Sequence, residues 1–217
     1  MKRRRLVVTA GPTREHLDPV RFLSNPSTGR MGFAIAKAAV EKGFEVVLIA
    51  GPVALKTPKG VKRIDVVSAR EMCAAALVAA ESADVFVATA AVADWRPAKC
   101  AARKLKKGAM SGVLHLARNP DILKTVSARM RRSNPNAVVV GFAAETGDPM
   151  SEAVRKCREK GLDFIVANDV TAPDAGFGVS TNRAVIVDRD GKCQALALMS
   201  KLALARRVVS RAILSMS

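Results

Sequence analysis

The sequence predicts an α/β fold, a Rossmann-like parallel sheet with helices on both faces, plus a C-terminal β-hairpin and a mobile basic flap. Three observations carry the prediction. Short β-branched runs alternate with stretches of helical period, the sequence form of successive βαβ units. The strand candidates are uniformly apolar, which fits strands covered on both faces. Small and polar residues follow several of those runs directly, where open α/β sheets bind ligands. At 217 residues the chain fits one domain, 1–217, with a substantial core.

The first strand is expected at 6–9 and is followed by Gly11-Pro12-Thr13-Arg14. The stretch SNPSTGRMG, 24–32, opens a helix expected at 29–42. Strands follow at 46–50 and 64–67. Ser68, with Glu71 three residues on, forms a capping box for a helix at 69–82. A fourth strand at 85–90 leads into AAVADW. Residues 97–112, with Lys99, Arg103, Lys104, Lys106 and Lys107, lack periodicity and apolar content and read as the flap. Asn119-Pro120-Asp121 supplies a cap, an N1 proline and a first-turn acid for a helix at 119–132. A strand at 137–143, a helix at 149–160 and a strand at 164–167 come next. The alternating runs of 183–198, around a turn at 188–191, give the hairpin. A helix at 199–215 closes the chain.

Composition narrows the function classes. No run of about 18 uncharged apolar residues predicts a membrane span. LVVTA is too short for a signal peptide core, so the chain is expected in the cytoplasm. Cys73, Cys100, Cys157 and Cys193 stand apart without a CxxC, and His16 and His115 are not spaced as metal ligands. Free thiols are expected, and no metal ligands can be named. The net charge of +17 calls for an anionic partner. Dispersed basic residues and 4% aromatics without tyrosine argue against nucleic acid. Phosphate-bearing small molecules, or a solvated basic surface, explain the charge as well.

Several stretches carry chemistry, each with a plainer alternative. Ser27, Thr28 and Gly29 bring unpaired N–H groups, hydroxyls and a helix dipole to one point, a phosphate cradle or an ordinary helix start. The loop is neither a Walker loop nor GxGxxG. Asp94, after the alanines of 88–91, suits a ribose hydroxyl, an indirectly held metal, or a turn. KLKK, 104–107, is a tip able to close on a triphosphate, or a solvated charge run. Lys156 and Lys160, at i and i+4, suit two phosphates or serve solubility.

Taken in order, VTAGPTREHLDPVRFLSNPSTGRMG, AAVADWRP, KLKK, NPDI, GFAAET and ANDV resemble the bacterial phosphopantothenoylcysteine synthetase family of coenzyme A biosynthesis, from about residue 5 to about 215. The resemblance implies a homodimeric ligase that joins 4′-phosphopantothenate to L-cysteine using CTP and Mg2+ through an acyl-cytidylate, with neither nucleic acid nor a membrane as partner. By that resemblance the substrate phosphate is expected on Gly11, Ser27, Gly29 and Gly32. Asn25 is expected beside the acyl-phosphate, and Asn168 on the pantothenate chain. The nucleotide is expected along Ala88, Thr89 and Ala90, with Asp94, Asn119, Pro120, Asp121, Ile122, Phe142, Lys156 and Lys160 completing its site. Lys104 resembles a flap lysine that neutralises charge during acyl-cytidylate formation.

The chain departs from the family pattern at Pro26 and Thr28, where His or Phe and Ser are commoner, and at Arg103, where an acid is common. By the same resemblance GFAAET and AAVAD look like the bacterial, CTP-using forms of these motifs, whereas eukaryotic relatives use ATP and differ at the first. Many bacterial relatives carry a flavin-dependent decarboxylase domain in front; with no room for one in these 217 residues, the sequence reads as either a monofunctional synthetase or an excised domain, and MKRRR at 1–5 does not decide which. A dinucleotide-binding oxidoreductase on the same fold lacks its fingerprint here, since TAGPTRE stands where GxGxxG would.

Overall fold

A computed structural model describes residues 3–107, 112–145, 149–169 and 181–216. The central sheet is built from β1 (Arg5–Ala10), β4 (Glu45–Ala50), β5 (Val61–Asp65), β6 (Val85–Ala88), β9 (Val138–Glu145), β10 (Phe164–Asp169), β12 (Ala184–Asp188) and β13 (Cys193–Ala195). Their order is β13-β12-β10-β9-β6-β1-β4-β5. From β10 to β5 all neighbours are parallel, and β12 and β13 extend the sheet antiparallel, as the hairpin at 183–198 leads one to expect.

The helices are α1 (Arg30–Glu41), α2 (Ala69–Ala80), α3 (Ile122–Ser133), α4 (Pro149–Glu159) and α5 (Lys201–Leu214). They cover both faces. One core packs Leu6, Val8 and Leu48 against Ile35, Ala39, Leu204 and Val208 of α1 and α5. The other packs Val7, Ile49 and Phe86 against Met72, Val126, Met130 and Ala153 of α2, α3 and α4. Side chains one residue apart on β1 thus enter different cores, which is why the strands read as continuous apolar runs. The edge strand β5 starts three residues earlier than expected. Its VKRID is half exposed, so its polar residues hide it from a search for apolar runs.

Helix starts follow local chemistry. Ser68 accepts from the Glu71 N–H at 3.2 Å, and the Glu71 carboxylate accepts from the Val67 N–H at 2.8 Å, so the box closes one residue earlier than the standard form. The third helix begins later than expected. Asp121, rather than Asn119, is its cap, accepting from the Lys124 N–H at 3.0 Å. The Asn119 side chain is committed elsewhere, donating to the Ala93 carbonyl at 2.8 Å.

Three two-stranded ribbons escape the sequence reading because each strand has only two or three residues. They are β2 (Arg14–His16) with β3 (Phe22–Ser24), β7 (Trp95–Pro97) with β8 (Leu116–Arg118), and β11 (Thr181–Asn182) with β14 (Met199–Ser200). The four cysteines are free, as expected. Among the described residues no helix is long and apolar enough to cross a membrane.

Candidate active site

Beyond the carboxyl ends of β1 and β6 the chain continues as a paired platform. The Thr89 hydroxyl donates to Thr9 O at 2.6 Å, the Ala91 N–H to Gly11 O at 2.9 Å, and the Ala93 N–H to the Thr13 hydroxyl oxygen at 3.0 Å. Thr9 and Thr13 are buried, so these bonds fix the platform from below. The 24–29 loop is tied to it. Ser24 Oγ donates to Thr13 O at 2.7 Å, and Asn25 Nδ2 donates to Val92 O at 3.0 Å. The second bond orients the Asn25 amide over the platform.

A cavity of about 780 Å³ opens on this platform, large enough for a nucleotide with part of a second substrate. Every site residue read from the sequence lines it except Gly11 and Lys104. That juxtaposition gathers segments from β1, α1, β6, α3, β9, α4 and β10 at one sheet edge, where open α/β sheets place ligands.

Each of the three glycines meets a backbone or packing demand of its own. Gly29 is the left-handed N-cap of α1, with φ +75° and no capping side chain, so the α1 start faces the cavity without a carboxylate across its dipole. Gly32 lines the cavity, but a Cβ there would stand 2.4 Å from Ala10 Cβ and 2.6 Å from Thr89 Oγ1. Its missing side chain lets α1 close on the sheet. Gly11, at φ +78°, lies behind the wall; a Cβ there would stand 2.9 Å from a Val53 methyl. These are packing demands, which a motif cannot distinguish from demands of a ligand.

The exposed Asp94 follows the platform. Asn119 locks the segment through its bond to Ala93 O and a backbone N–H bond to Asp94 O at 2.8 Å. Lys160 Nζ lies 2.9 Å from Asp121 Oδ2, and Lys156 Nζ 3.4 Å from Glu152 Oε1. Burial raises the Asp121 carboxyl, but the Lys124 N–H and the Lys160 ammonium together hold it below the ordinary carboxylate value. Glu152 is pulled down to about 2, chiefly by Arg155 and then by Lys156.

The flap meets expectation only in part. Residues 108–111 lie outside the described residues. From 98 to 107 the segment is anchored rather than unattached. The Ala101 N–H donates to Leu17 O at 2.8 Å, and the Leu105 N–H to Asp18 Oδ2 at 3.2 Å. Arg21 holds the same Asp18 carboxylate and donates to Leu105 O at 3.0 Å. The Arg21 guanidinium and surrounding N–H groups keep the Asp18 carboxyl far below its ordinary value although Asp18 is 0% exposed. Lys104, one residue away, is exposed and off the cavity wall.

Sequence reasoning missed Arg30, Asn182 and Lys201, which also line the cavity. Asn182 and Lys201 carry no motif, and only the pairing of β11 with β14 brings them to it.

Fold and site together define a class: a Rossmann-like α/β protein with a cavity that joins a basic helix start to a lysine-bearing recess of nucleotide size. The comparisons give that class a family. Residues 1–215 match the family described as DNA/pantothenate metabolism flavoprotein C-terminal domain. The chain belongs to this family, the phosphopantothenoylcysteine synthetase part of such proteins. It is 48% identical over 198 residues to the coenzyme A biosynthesis bifunctional protein CoaBC of Bacillus subtilis, covering 91% of this chain and 48% of that one. The CoaBC of Escherichia coli K12 is 46% identical over 194 residues, covering 88% and 47%. The chain therefore spans about half the length of these curated relatives. The crystal structure of the C-terminal domain of a CoaBC superposes with a TM-score of 0.81 at 39% identity, covering 99% of this chain and 98% of that one. A Cab2 H337A mutant in complex with phosphopantothenate-cysteine shares the fold, with a TM-score of 0.80 at 14% identity over 98% of this chain and 86% of that one.

Proposed function

We propose that the chain joins 4′-phosphopantothenate to L-cysteine at the expense of CTP, by way of an acyl-cytidylate. The observation that carries the reading is the single cavity on which the 24–32 loop, the 88–94 platform, the 119–122 turn and the α4 lysines converge. A carboxylate is a poor acyl donor at neutral pH. Its oxygen attacks the α-phosphorus of CTP, the bond to the β-phosphate oxygen breaks and pyrophosphate leaves. The cysteine amine then attacks the acyl carbon, loses a proton and expels CMP.

In this reading the α1 start, with Ser27, Gly29 and Gly32, receives the substrate phosphate, and Asn168 holds the pantothenate chain. Asn25, oriented by its bond to Val92 O, steadies the acyl-phosphate for the amine's attack. Ala88, Thr89, Ala90, Asp94, Phe142, Lys156 and Lys160, with the 119–122 turn, hold the nucleotide. Lys104 acts when the flap folds over. Gly11 supports the loop from behind.

Mg2+ would ride on the triphosphate. The described residues gather no group of three or more His, Cys, Asp or Glu side chains, and the carboxylates on the wall are Asp94 and Asp121. A cation bound by one or two carboxylates plus phosphates is the usual Mg2+ arrangement in such sites. It would offset charge on the phosphates. We further infer a homodimer, because Phe22, Trp95, Leu114 and Leu116 expose apolar surface at and beside two neighbouring ribbons.

The test is pyrophosphate release from CTP, with 4′-phosphopantothenate and Mg2+ each omitted in turn. Release that needs both is expected. No release with CTP or ATP would overturn the reading, and release with ATP alone would correct the nucleotide. The Asn25→Ala variant should accumulate acyl-cytidylate without passing it to cysteine. Lys104→Ala should lose roughly 10²-fold to 10³-fold in the first step.

A further inference from the structure

The turn at 17–21, between β2 and β3, holds a carboxylate that its own residues already satisfy. Asp18 is 0% exposed, and a buried charge is stable only when it is well partnered. Oδ1 accepts from the Val20 and Arg21 N–H groups at 2.8 and 2.9 Å, and Oδ2 accepts from Arg21 Nε and Nη2 at 3.0 and 2.5 Å. The Leu105 N–H, 87 residues away in the chain, adds a further bond at 3.2 Å. That last bond serves the flap rather than the turn.

Leu105 is gripped at both backbone groups, since Arg21 Nη2 donates to its carbonyl at 3.0 Å. Four residues earlier the Ala101 N–H donates to Leu17 O, and the Ala98 N–H closes the base of the flap on His115 O at 2.9 Å. Lys104 therefore lies between two anchors on one turn, its backbone placed although the residue is exposed. A lysine on an unanchored loop would have to order backbone and side chain together before it could neutralise charge. Here the backbone part is already ordered. The same hairpin carries Asn25 at its other end, directly after Ser24 of β3. Asn25 has its own bond to Val92 O, so the two residues share one hairpin but are held separately.

We propose that Asp18 is a positioning residue, which fixes the flap backbone at Leu105 and thereby sets where the Lys104 ammonium meets the nucleotide. The inference rests on the synthetase reading for the task of Lys104. Asp18 itself is not on the cavity wall.

Single-turnover pyrophosphate release from CTP and 4′-phosphopantothenate without cysteine reads the first step, and decay of the acyl-cytidylate on adding cysteine reads the second. Asp18→Asn should slow the first step roughly 10-fold to 100-fold, the scale of a small misplacement of a reacting group. It should move the CTP concentration for half-maximal rate less, and leave the second step at the wild-type rate. Adding Asp18→Asn to Lys104→Ala should slow the first step no further, because Asp18 acts only through that lysine. A general loosening of the hairpin would instead slow both steps, since Asn25 stands on it, and would make the double variant slower still. Either of those results, or a wild-type first step in Asp18→Asn, would overturn the proposal.

Should Asp18→Asn not fold, Leu105→Pro removes the N–H and leaves the Asp18–Arg21 pair in place. The same split between the steps is expected, and an unchanged first step would count against the proposal. Hydrogen exchange of the Leu105 amide should quicken in Asp18→Asn, a readout that needs no turnover, and unchanged exchange would show that Asp18 does not hold the flap. A wild type that releases no pyrophosphate with CTP or ATP sinks the synthetase reading, whereas wild-type release beside unaffected variants sinks only the role of Asp18.

Discussion

The two ends of the cavity carry the same sign of charge but hold it differently. At the α4 end, Lys156 and Lys160 sit opposite the carboxylates of Glu152 and Asp121. At the α1 and α5 end, Lys201 rests on the neutral oxygens of Asn182 and Thr181, with Arg30 adding to the positive field. An anion arriving at the first end must share its lysines with resident carboxylates, so each contact yields less. At the second end the given contacts of Lys201 are to amide and backbone oxygens, and the α1 start adds N–H donors. The difference teaches that counting lysines around a cavity says little about where an anion binds most strongly. What each cation already faces decides.

The comparison breaks most sharply at Gly32. A valine there would drive into Ala10 and Thr89 and push the α1 start off the platform. It should cost about 1–3 kcal/mol in stability and remove most binding of phosphate-bearing substrate, while Asn119→Ala at the other end spares it. Urea unfolding with parallel titrations checks this, and equal damage to both substrates from Gly32→Val would mean the ends are not separable.

Lys160→Ala should produce a smaller effect because Asp121 already shares that charge. A rise in the KM for CTP of about 10-fold or less is expected, shrinking as salt is raised. A larger rise that persists in high salt would place Lys160 in a desolvated contact and narrow the contrast between the ends.

Asp18 tests the anchored part of the flap. Its carboxyl is held far below the ordinary value, so the stabilisation it gives is fully present above the unfolded value near 3.8 and is lost as pH falls through the folded one. Asp18→Asn should therefore lower the urea midpoint at neutral pH, with the gap to wild type closing in strong acid. A gap that stayed constant down to strong acid would show that the carboxylate's charge is not what anchors Leu105.

Ser68→Ala is the smallest perturbation, far from either end. It should cost about 1 kcal/mol through the α2 cap and leave both titrations unchanged.

Much of this was legible beforehand because strand and helix carry their periods in neighbouring residues. The apolar runs of β1, β4, β6, β9 and β10 announced the sheet, and Ser68 announced α2. The site was legible where chain order and strand ends coincide, as at 24–32 and 88–94. The ribbons were not, since strands of two or three residues leave no pattern. Asn119 was misread as a cap because its choice of Ala93 O over its own helix depends on a strand end far away in sequence.

By itself, then, the sequence determined the α/β layering, the helix starts that cap locally and the stretches that gather at the sheet edge, because hydrophobic period and capping act over a few residues. Only the tertiary structure decided that Gly32 also meets a packing demand, that Asp18 tethers the flap, and that Lys201, bonded to Asn182, reaches the cavity. Those outcomes depend on desolvation and on partners up to 171 residues apart in the chain, as Arg30 and Lys201 are, and no local pattern records them.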